Sequence, residues 1–263
     1  MDLQLTKKIA LVSGSTAGIG NAIATGLARE GATVIVNGRT TAAVDAAVAA
    51  MKRATGGTVL GFAGDLSVST VAEKLAQIHP HVDILVNNLG IFEVRAFEDI
   101  SDADWQRFFD VNVLSGARLA RLYLPAMRER NWGRIIFISS ESGYQIPAEM
   151  IHYGMTKAAQ IAVARGLAEA TAGTGITVNS VLPGPTRSRG VGDFVADWAA
   201  KSGKSAQTVE NEFFKNARPT SLIKRFATPE EVAAMVVFVA SPLSAATNGA
   251  ALRVDGGVIK SAF

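Results

Sequence analysis

The chain has 263 residues, of which 48% are hydrophobic and 19% are charged, and its formal net charge at pH 7 is +3. This length and composition are typical of one large globular domain with a substantial core, and they exclude a disordered chain. The absence of cysteine excludes disulfide bonds, thiol catalysis and cysteine-ligated metal or iron–sulfur sites.

The N-terminal residues run directly into a strand pattern, so the sequence predicts no signal peptide. The longest apolar runs, such as residues 233–240, are too short to span a bilayer, and we expect a cytoplasmic protein with no membrane partner. A local basic stretch is interpreted as a solvated helix face, and a nucleic-acid site is the less favoured interpretation because no recognition motif accompanies it. The stretch consists of Arg118, Arg121, Arg128, Arg130 and Arg134.

Short apolar strand patterns alternate with helical patterns along the whole chain. The predicted strands cover residues 8–12, 33–36, 58–63, 83–86, 133–138, 175–181 and 250–254. Because strands separated by helices pair in parallel through right-handed crossovers, the sequence predicts a doubly wound α/β fold with a parallel seven-stranded sheet, in one Rossmann-type domain of residues 1–263. Residues 187–219 are charged and contain several glycines, and they follow a strand end, where a substrate lid is expected.

A glycine-rich turn joins the first predicted strand to the first helix. Its spacing is Gly-x-x-x-Gly-x-Gly, and taken alone such a cluster is equally consistent with an ordinary turn. Between a strand and an amphipathic helix, however, the glycines let main-chain N–H groups approach a pyrophosphate at the helix N-terminus. The cofactor contacts predicted here are Gly14, Ser15, Thr16, Gly18, Ile19 and Gly20.

The end of the second predicted strand indicates which dinucleotide is preferred. An acid at this position would bind the ribose 2′-hydroxyl of NAD(H) and repel a 2′-phosphate. This chain instead has Gly38 followed by Arg39, and a guanidinium matches the charge and geometry of a phosphate. We therefore predict that NADP(H) is favoured over NAD(H). The alternative is that Arg39 simply points to solvent.

A tyrosine and a lysine lie four residues apart, at Tyr153 and Lys157, so on a helix they share one face. A cation beside a phenol lowers the pKa of the phenol, which predicts a proton donor and acceptor at Tyr153. Ser140, at the end of the fifth predicted strand, offers a hydroxyl to a substrate oxygen. Asn112 interrupts a long helical pattern over residues 102–130, where an asparagine competes for main-chain hydrogen bonds.

In order and spacing, these motifs resemble the single-domain short-chain dehydrogenase/reductase family over essentially the whole chain, including its members similar to β-ketoacyl carrier-protein reductases. The resemblance implies an NADP(H)-dependent oxidoreductase that transfers hydride between nicotinamide and a small carbonyl or alcohol substrate, and it implies a homotetramer. The matching positions are the turn at 14–20, Asp65, the Asn-Asn-x-Gly at 87–90, Asn112, Ser140, Tyr153, Lys157, Pro183-Gly184 and Asp255-Gly256-Gly257.

The resemblance also implies catalytic roles. Tyr153 is the general acid in reduction and the base in oxidation, while Lys157 lowers its pKa and holds the nicotinamide ribose. Ser140 orients the substrate oxygen. The main-chain carbonyl of Asn112 holds the water of a proton relay to Lys157. Further cofactor contacts are implied at Asp65, Leu66, Asn88, Gly90, Tyr153, Lys157, Pro183, Gly184, Thr186 and Ser188.

Some of these positions have competing interpretations. Asp65 is equally consistent with a turn residue, and Ser67 is predicted to cap the helix that follows it. Leu89 replaces the small alanine that the family has in its Asn-Asn-Ala-Gly motif. His152, beside Tyr153, either lines the pocket or has a structural role. The three histidines, His79, His81 and His152, show no paired ligand spacing, so no metal site is predicted.

Other functions remain open at this stage. One is a non-catalytic NADP(H)-binding sensor or scaffold with the same fold, and another is an NAD(H)-preferring alcohol dehydrogenase of the same family. A cofactor-dependent epimerase or dehydratase is less favoured, because those relatives typically carry a larger C-terminal substrate domain. The sequence selects no particular substrate and does not fix the direction of the reaction.

Overall fold

A computed structural model describes the main chain of residues 1–262 and the side chains of these residues except 189, 190, 193, 194 and 197. Its strands form one parallel sheet of seven, in the order β3-β2-β1-β4-β5-β6-β7, which confirms the predicted doubly wound fold. The strands are β1 Ile9–Val12, β2 Thr33–Gly38, β3 Val59–Ala63, β4 Ile84–Asn87, β5 Gly133–Ile138, β6 Ile176–Pro183 and β7 Ala251–Val254.

Helices connect successive strands and cover both faces of the sheet. In the described part of the chain none of them is long and apolar enough to cross a membrane. The α-helices are α1 Gly18–Arg29, α2 Thr41–Thr55, α3 Ser69–Ile78, α4 Asp102–Phe109, α5 Ser115–Glu129, α6 Ile151–Ala170, α7 Arg189–Ser202, α8 Ala206–Asn216 and α9 Pro229–Val239.

Two apolar cores lie on opposite faces of the sheet. Val12 of β1 packs in one core with Leu27 of α1 and with α9, whereas its neighbour Leu11 packs in the other with Leu119 of α5 and with α3 and α6. Consecutive strand residues point to opposite faces, so a strand buried on both sides is apolar at every position. This is why the strands could be recognised as continuous apolar runs.

The sheet has its switch point at β1, which pairs with β2 on one side and with β4 on the other. The connections from β1 and β4 therefore leave in opposite directions, and a groove opens at the carboxyl ends of these strands. The glycine turn after β1, residues 88–90 after β4, Ser140 after β5 and Gly184 after β6 all follow strand ends at this edge.

Of two local predictions, one is wrong and the other is confirmed. Ser67 does not cap α3, because that helix begins at Ser69, with Val68 at the N-cap and no capping side chain. The N–H and hydroxyl of Ser67 instead donate to Oδ1 of Asp65, at 2.9 and 2.7 Å, in a tight turn. The long helical pattern from residue 102 is divided into α4 and α5 by a π-helical turn, Asp110–Leu114, so the interruption predicted at Asn112 is confirmed.

The basic stretch is not a uniformly solvated helix face. Arg134 lies in β5, is 2% exposed, and donates to the carbonyls of Gly133, Gly175 and Ser241. Arg118 donates to the carbonyl of Ser67. These guanidinium groups satisfy main-chain carbonyls at the ends of neighbouring elements, which explains why arginines cluster in this part of the sequence.

The segment predicted as a lid contains α7 and α8 and has a small core of its own. Val195, Val209 and Phe214 are buried there against Phe226, which precedes α9. The guanidinium of Arg187 lies 2.5 Å from the carboxylate of Glu210 and ties the start of the segment to α8.

Candidate active site

The glycine turn after β1 is held by main-chain and asparagine contacts. Gly14 has a φ of +60°, a conformation that favours glycine, and its N–H donates to Oδ1 of Asn37 at 3.1 Å. The side-chain amide of Asn88 donates to the carbonyls of Ser13 and Gly14, both at 3.0 Å. Asn88, predicted as a cofactor contact, thus also braces the turn from β4.

The sequence did not identify Asn37 as a residue of this site, although its side chain holds the glycine turn in place. It is 2% exposed, and its amide nitrogen donates to the carbonyls of Phe62 and Gly64 while its oxygen accepts from Gly14. One side chain therefore joins the ends of β1, β2 and β3. An asparagine at the end of a β-branched strand is unfavourable for strand formation, and that mismatch was the available indication.

The N-terminus of α1 faces the groove without a side-chain cap. Its N-cap is Ala17, which makes no capping hydrogen bond, and the first N–H groups of any helix lack intrahelical partners. A Cβ atom at position 18 would lie 3.5 Å from Cβ of Ser188, so Ser188 lies across from this turn. The open N–H groups of Gly18, Ile19 and Gly20 are suited to a phosphate.

Ser15 differs from the other residues of the turn. It is fully buried, its N–H donates to the carbonyl of Asn37 at 2.8 Å and its hydroxyl donates to the carbonyl of Val12 at 2.6 Å. Both polar groups are thus already used within the fold, whereas the next residue, Thr16, lines the groove.

The groove continues past the end of β2, where it is lined by Gly14, Thr16, Asn37, Gly38, Arg39, Gly64, Asp65, Leu66 and Leu89. Arg39 is exposed, and among the described residues it has no hydrogen-bond or ion-pair partner. A Cβ atom at position 38 would lie only 2.5 Å from Cγ2 of Thr16. The structure therefore has a free guanidinium at this end of the groove and no room for an acidic side chain at residue 38.

At the other end of the groove, β6 ends at Pro183. The N–H of Gly184 donates to the carbonyl of Val254, and the hydroxyl of Thr186 donates to the carbonyl of Gly184 at 2.9 Å. A Cβ at position 184 would lie 2.5 Å from the carbonyl oxygen of Asp255, so this close approach requires glycine. Two predicted cofactor contacts lie here. The hydroxyl of Thr186 is engaged in the hydrogen bond within this turn, and Ser188 faces the start of α1.

Ser140 and Tyr153 meet beside the groove. Ser140 follows β5, is 8% exposed, and its hydroxyl oxygen accepts from the N–H of Ser142 at 3.1 Å. A side-chain hydrogen bond between Ser140 and Tyr153 lowers the pKa of the phenol, but burial outweighs this effect and raises that pKa to about 12. The ring of Phe92 lies edge-on to the Tyr153 ring, with centroids 6.3 Å apart.

Lys157 lies on the same face of α6 as Tyr153. Its Nζ is 5.6 Å from the centroid of the Tyr153 ring and donates to the carbonyl of Ile138 at 2.9 Å and to Oε1 of Gln160 at 3.1 Å. A Cβ atom at position 90 would lie 3.5 Å from this Nζ, so Gly90, in the loop after β4, lies beside the buried ammonium.

The predicted influence of Lys157 on Tyr153 is not found in this structure. Burial lowers the pKa of Lys157 to about 7, and burial raises the pKa of Tyr153. Both shifts favour the neutral forms, because a low-dielectric surrounding penalises charge. The ammonium is turned toward carbonyl oxygens rather than toward the phenolic oxygen, which explains why the expected lowering is absent.

Asn112 connects the π-helical turn to its surroundings. Its Oδ1 accepts from the N–H of Ile91 at 2.8 Å, and its Nδ2 donates to the carbonyl of Ile91 and to the hydroxyl of Thr156. Its main-chain carbonyl, expected to hold a water, accepts from Nε2 of Gln160 at 2.6 Å. The sequence did not identify Gln160 as part of this site.

Glu141 and Arg218 form a second feature that the sequence did not reveal. Glu141 is 4% exposed and lies directly after Ser140, and its Oε1 is 3.0 Å from Nε of Arg218. Burial raises the pKa of Glu141, and the nearby Arg218 opposes that rise.

His152 is structural in this arrangement. It is fully buried, its ring lies 4.0 Å from the ring of Phe108 and 6.0 Å from that of Trp105, and neither ring nitrogen has a hydrogen-bond partner. Burial lowers its pKa. Across the described residues, no cluster of three or more histidines, cysteines or acids is able to hold a metal ion.

Comparisons with known proteins give a consistent result. A family model described as short chain dehydrogenase matches residues 8–199. The uncharacterized oxidoreductase YvrD of Bacillus subtilis (strain 168) is 49% identical over 265 residues, which cover 99% of this chain and 100% of the relative. The D-beta-hydroxybutyrate dehydrogenase of Cupriavidus necator is 36% identical over 258 residues, covering 96% and 98%. L-sorbose reductase from Gluconobacter frateurii, crystallised with NADPH and L-sorbose, superposes with a TM-score of 0.93 at 31% identity, covering 99% of this chain and 100% of that one.

Proposed function

This chain belongs to the short-chain dehydrogenase/reductase family of oxidoreductases, and we propose that it interconverts a small carbonyl compound and its alcohol with NADP(H), using Tyr153 as general acid and base. The observation that carries the proposal is the meeting of Tyr153, Ser140 and Lys157 at the carboxyl edge of the sheet, beside the groove above the glycine turn. A non-catalytic sensor would need neither the phenol nor the amine.

The residues along the groove fit a nicotinamide dinucleotide. The uncapped N-terminus of α1 and the turn at Gly14 suit a pyrophosphate, and Arg39 suits a 2′-phosphate. When bound, the cofactor supplies or accepts hydride, which no amino-acid side chain does. The residues that would hold it are Gly14, Thr16, Gly18, Ile19, Gly20, Arg39, Asp65, Leu66, Asn88, Gly90, Lys157, Pro183, Gly184, Thr186 and Ser188.

In the reductive direction the two hydroxyl groups of Ser140 and Tyr153 donate hydrogen bonds to the substrate oxygen. As negative charge develops on that oxygen, these donors stabilise it, and the Tyr153 proton is transferred to it. A phenol whose pKa is about 12 carries its proton throughout the neutral range and is ready to act as the acid. The ammonium form of Lys157, whose Nζ lies 5.6 Å from the centroid of the Tyr153 ring, would stabilise the phenolate that the transfer leaves behind once it turns from the carbonyl of Ile138 toward the phenolic oxygen.

A preference for NADP(H) is supported by two observations. Arg39 has a free guanidinium at the end of β2, and the crystallised L-sorbose reductase contains NADPH.

The substrate class is proposed by analogy with relatives named for L-sorbose and for D-beta-hydroxybutyrate, which are small polar hydroxy or keto compounds. The segment of α7 and α8 is proposed as the lid of the substrate pocket. A homotetramer and a cytoplasmic location remain predictions, and light scattering that gave a monomer would contradict the former.

The central experiment replaces Tyr153 by phenylalanine and measures NADPH oxidation with a panel of small ketones, keto acids and ketoses. Tyr153→Phe is expected to lose ~10³-fold in kcat, because it removes the hydroxyl group that carries the transferable proton. Its Kd for NADPH should stay within about threefold of the parent value, since a phenyl ring keeps the packing of the site. Tyr144→Phe is the matched control, because Tyr144 is 56% exposed. Comparable turnover by Tyr153→Phe and the parent would refute the assignment.

A further inference from the structure

A buried glutamine links the lysine of the site to the π-helical turn. Gln160 is 1% exposed and lies three residues after Lys157 on α6. Its Oε1 accepts from Nζ of Lys157 at 3.1 Å, and its Nε2 donates to the carbonyl of Asn112 at 2.6 Å. One carboxamide therefore joins the ammonium to the carbonyl that the π-helical turn presents toward α6.

We propose that Gln160 is a positioning residue for the reaction, which fixes the ammonium of Lys157 through Oε1 and occupies the Asn112 carbonyl through Nε2. This inference rests on the proposed function, because it assigns Gln160 an effect on catalysis only through Lys157. A carboxamide has a donor at one end and an acceptor at the other, which matches the two groups it touches. An apolar side chain of similar length would satisfy neither of them.

The carboxamide also bears on proton movement. Its Nε2 donates and its Oε1 accepts, and neither group titrates in the neutral range, so Gln160 holds the two ends of this bridge without passing a proton between them. A water bonded in the same place would serve as a proton carrier. Gln160 therefore holds Lys157 in place and does not itself carry a proton to Tyr153.

The charges around Lys157 are few, so the effect of Gln160 on its protonation is measurable. Tyr153 faces it from the same helix, and Glu141, paired with Arg218, acts on the Tyr153 phenol from the turn after β5. β5 and the π-helical turn contribute main-chain carbonyls at Ile138 and Asn112, while Asp110 of that turn accepts from Gln106 on the exposed surface. Burial is what lowers the pKa of Lys157, and an acceptor for the ammonium opposes that effect.

The test compares Gln160→Met with Gln160→Ser. Methionine keeps an unbranched buried side chain but removes both hydrogen bonds, whereas serine leaves space for water between two polar partners. The Lys157 pKa is followed directly by NMR of lysine labelled with ¹³C at Cε, and the pH dependence of kcat for carbonyl reduction is measured in parallel. The control is Leu167→Ala, which removes a partly buried apolar side chain of the same helix away from the site.

In Gln160→Met we expect the Lys157 pKa to fall by about one unit, kcat to fall about tenfold, and the alkaline limb of the kcat profile to move to lower pH by the same amount. In Gln160→Ser, water restores the acceptor, and the pKa should return most of the way to the parent value. An unchanged Lys157 pKa and profile in Gln160→Met, or an equal shift in Leu167→Ala, would overturn the proposal. The NMR titration needs no turnover, so it distinguishes this failure from a failure of the proposed function, which Tyr153→Phe tests.

Discussion

The Nε atom of Arg218 lies 3.0 Å from Oε1 of Glu141, and both side chains are largely buried. Glu141 directly follows Ser140 in the turn after β5, whereas Arg218 follows α8 in the segment proposed as a lid. The ion pair therefore joins the candidate catalytic serine to that segment. Arg218 also lies 3.4 Å from the carboxylate of Glu149, which is more exposed.

Removing the arginine should destabilise the protein in a pH-dependent way. Arg218→Met is expected to lower the free energy of unfolding at pH 7 by ~3 kcal/mol, because a buried carboxylate loses its partner. Burial raises the pKa of Glu141 above 4.5, so the folded protein binds this proton more tightly than the unfolded chain, and stability falls as pH rises through the folded pKa. Since the variant raises that pKa further, its deficit should be small at pH 4 and large at pH 7 in urea titrations.

Two further variants sharpen this experiment. Arg225→Met breaks an exposed ion pair with Glu231, at 2.7 Å, and should cost far less at pH 7 than Arg218→Met. Adding Glu141→Gln to Arg218→Met removes the unpaired charge and should recover part of the lost stability. If Arg218→Met matched the parent at pH 7, the pair would not stabilise the fold.

The burial of Lys157 should lower the free energy of unfolding at neutral pH. The pKa of Lys157 is lowered to about 7 from 10.5, so the unfolded chain binds more protons between these values and stability rises with pH across that window. Lys157→Met should therefore be more stable than the parent at pH 7, by ~2 kcal/mol once its lost hydrogen bonds are counted. This advantage should shrink at pH 9.

Thermal or urea unfolding at pH 7 and pH 9 measures the effect. The control is Lys74→Met, an exposed lysine of α3, which should show no such dependence on pH. A Lys157→Met protein that is less stable than the parent at pH 7 would show that the hydrogen bonds to Ile138 and Gln160 outweigh the cost of burial.

Features set by residues close together in the chain could be predicted from the sequence, whereas features that depend on distant contacts could not. The strands, the glycine turn and the Tyr153–Lys157 spacing are local patterns, since each is set by residues close together in the chain. Asn37, Gln160 and the Glu141–Arg218 pair depend on contacts across 23, 48 and 77 residues. Without coordinates, a polar residue in an apolar run shows that a partner is needed but not which one.

The same limit explains the two electrostatic errors. Four-residue spacing correctly places Tyr153 and Lys157 on one face of α6, but it does not reveal that the carbonyl of Ile138 and the side chain of Gln160 accept from the ammonium. Likewise, the interpretation of Arg134 as part of a solvated face failed because it is buried against the carbonyls of Gly175 and Ser241, which are far away in the sequence, and that of the adjacent Gly133. A sequence shows which charged groups are present, but it does not show which residues they contact.

The cofactor preference should depend on Arg39. The parent is expected to use NADPH far better than NADH, and Arg39→Ala should lower kcat/KM for NADPH by about 10- to 100-fold, since a charge-assisted phosphate contact contributes ~1.5–3 kcal/mol. The value for NADH should change by less than about threefold. Arg53→Ala, at the opposite end of α2, is the matched control. Equal kcat/KM of the parent for both cofactors would contradict the role of Arg39.

Reversing that preference should require two changes. An acid at residue 38 would favour NADH, but a Cβ there lies 2.5 Å from Cγ2 of Thr16. Gly38→Asp alone is therefore expected to weaken both cofactors. Combined with Thr16→Ser, which removes the obstructing methyl group, it should bind NADH more tightly than NADPH in a fluorescence titration. Equal behaviour of the single and double variants would show that Thr16 moves aside freely.

Replacing Asn37 should both destabilise the protein and weaken cofactor binding. Asn37→Ala leaves the N–H of Gly14 and the carbonyls of Phe62 and Gly64 without their partner, and the expected loss of unfolding free energy is ~2 kcal/mol. Because these groups fix the turn that faces the cofactor, the Kd for NADPH should rise by about tenfold, and saturating NADPH should raise Tm less than in the parent.

The matched control for Asn37→Ala is Asn248→Ala. Oδ1 of Asn248 accepts from the N–H of Val178 at 2.8 Å, near the amino end of β6 and away from the groove. That variant should lose stability while its Kd for NADPH stays at the parent value. If Asn37→Ala lost stability with an unchanged Kd, Asn37 would hold the strand ends together without shaping the groove, because a turn that binds phosphate through its N–H groups must weaken when those groups shift.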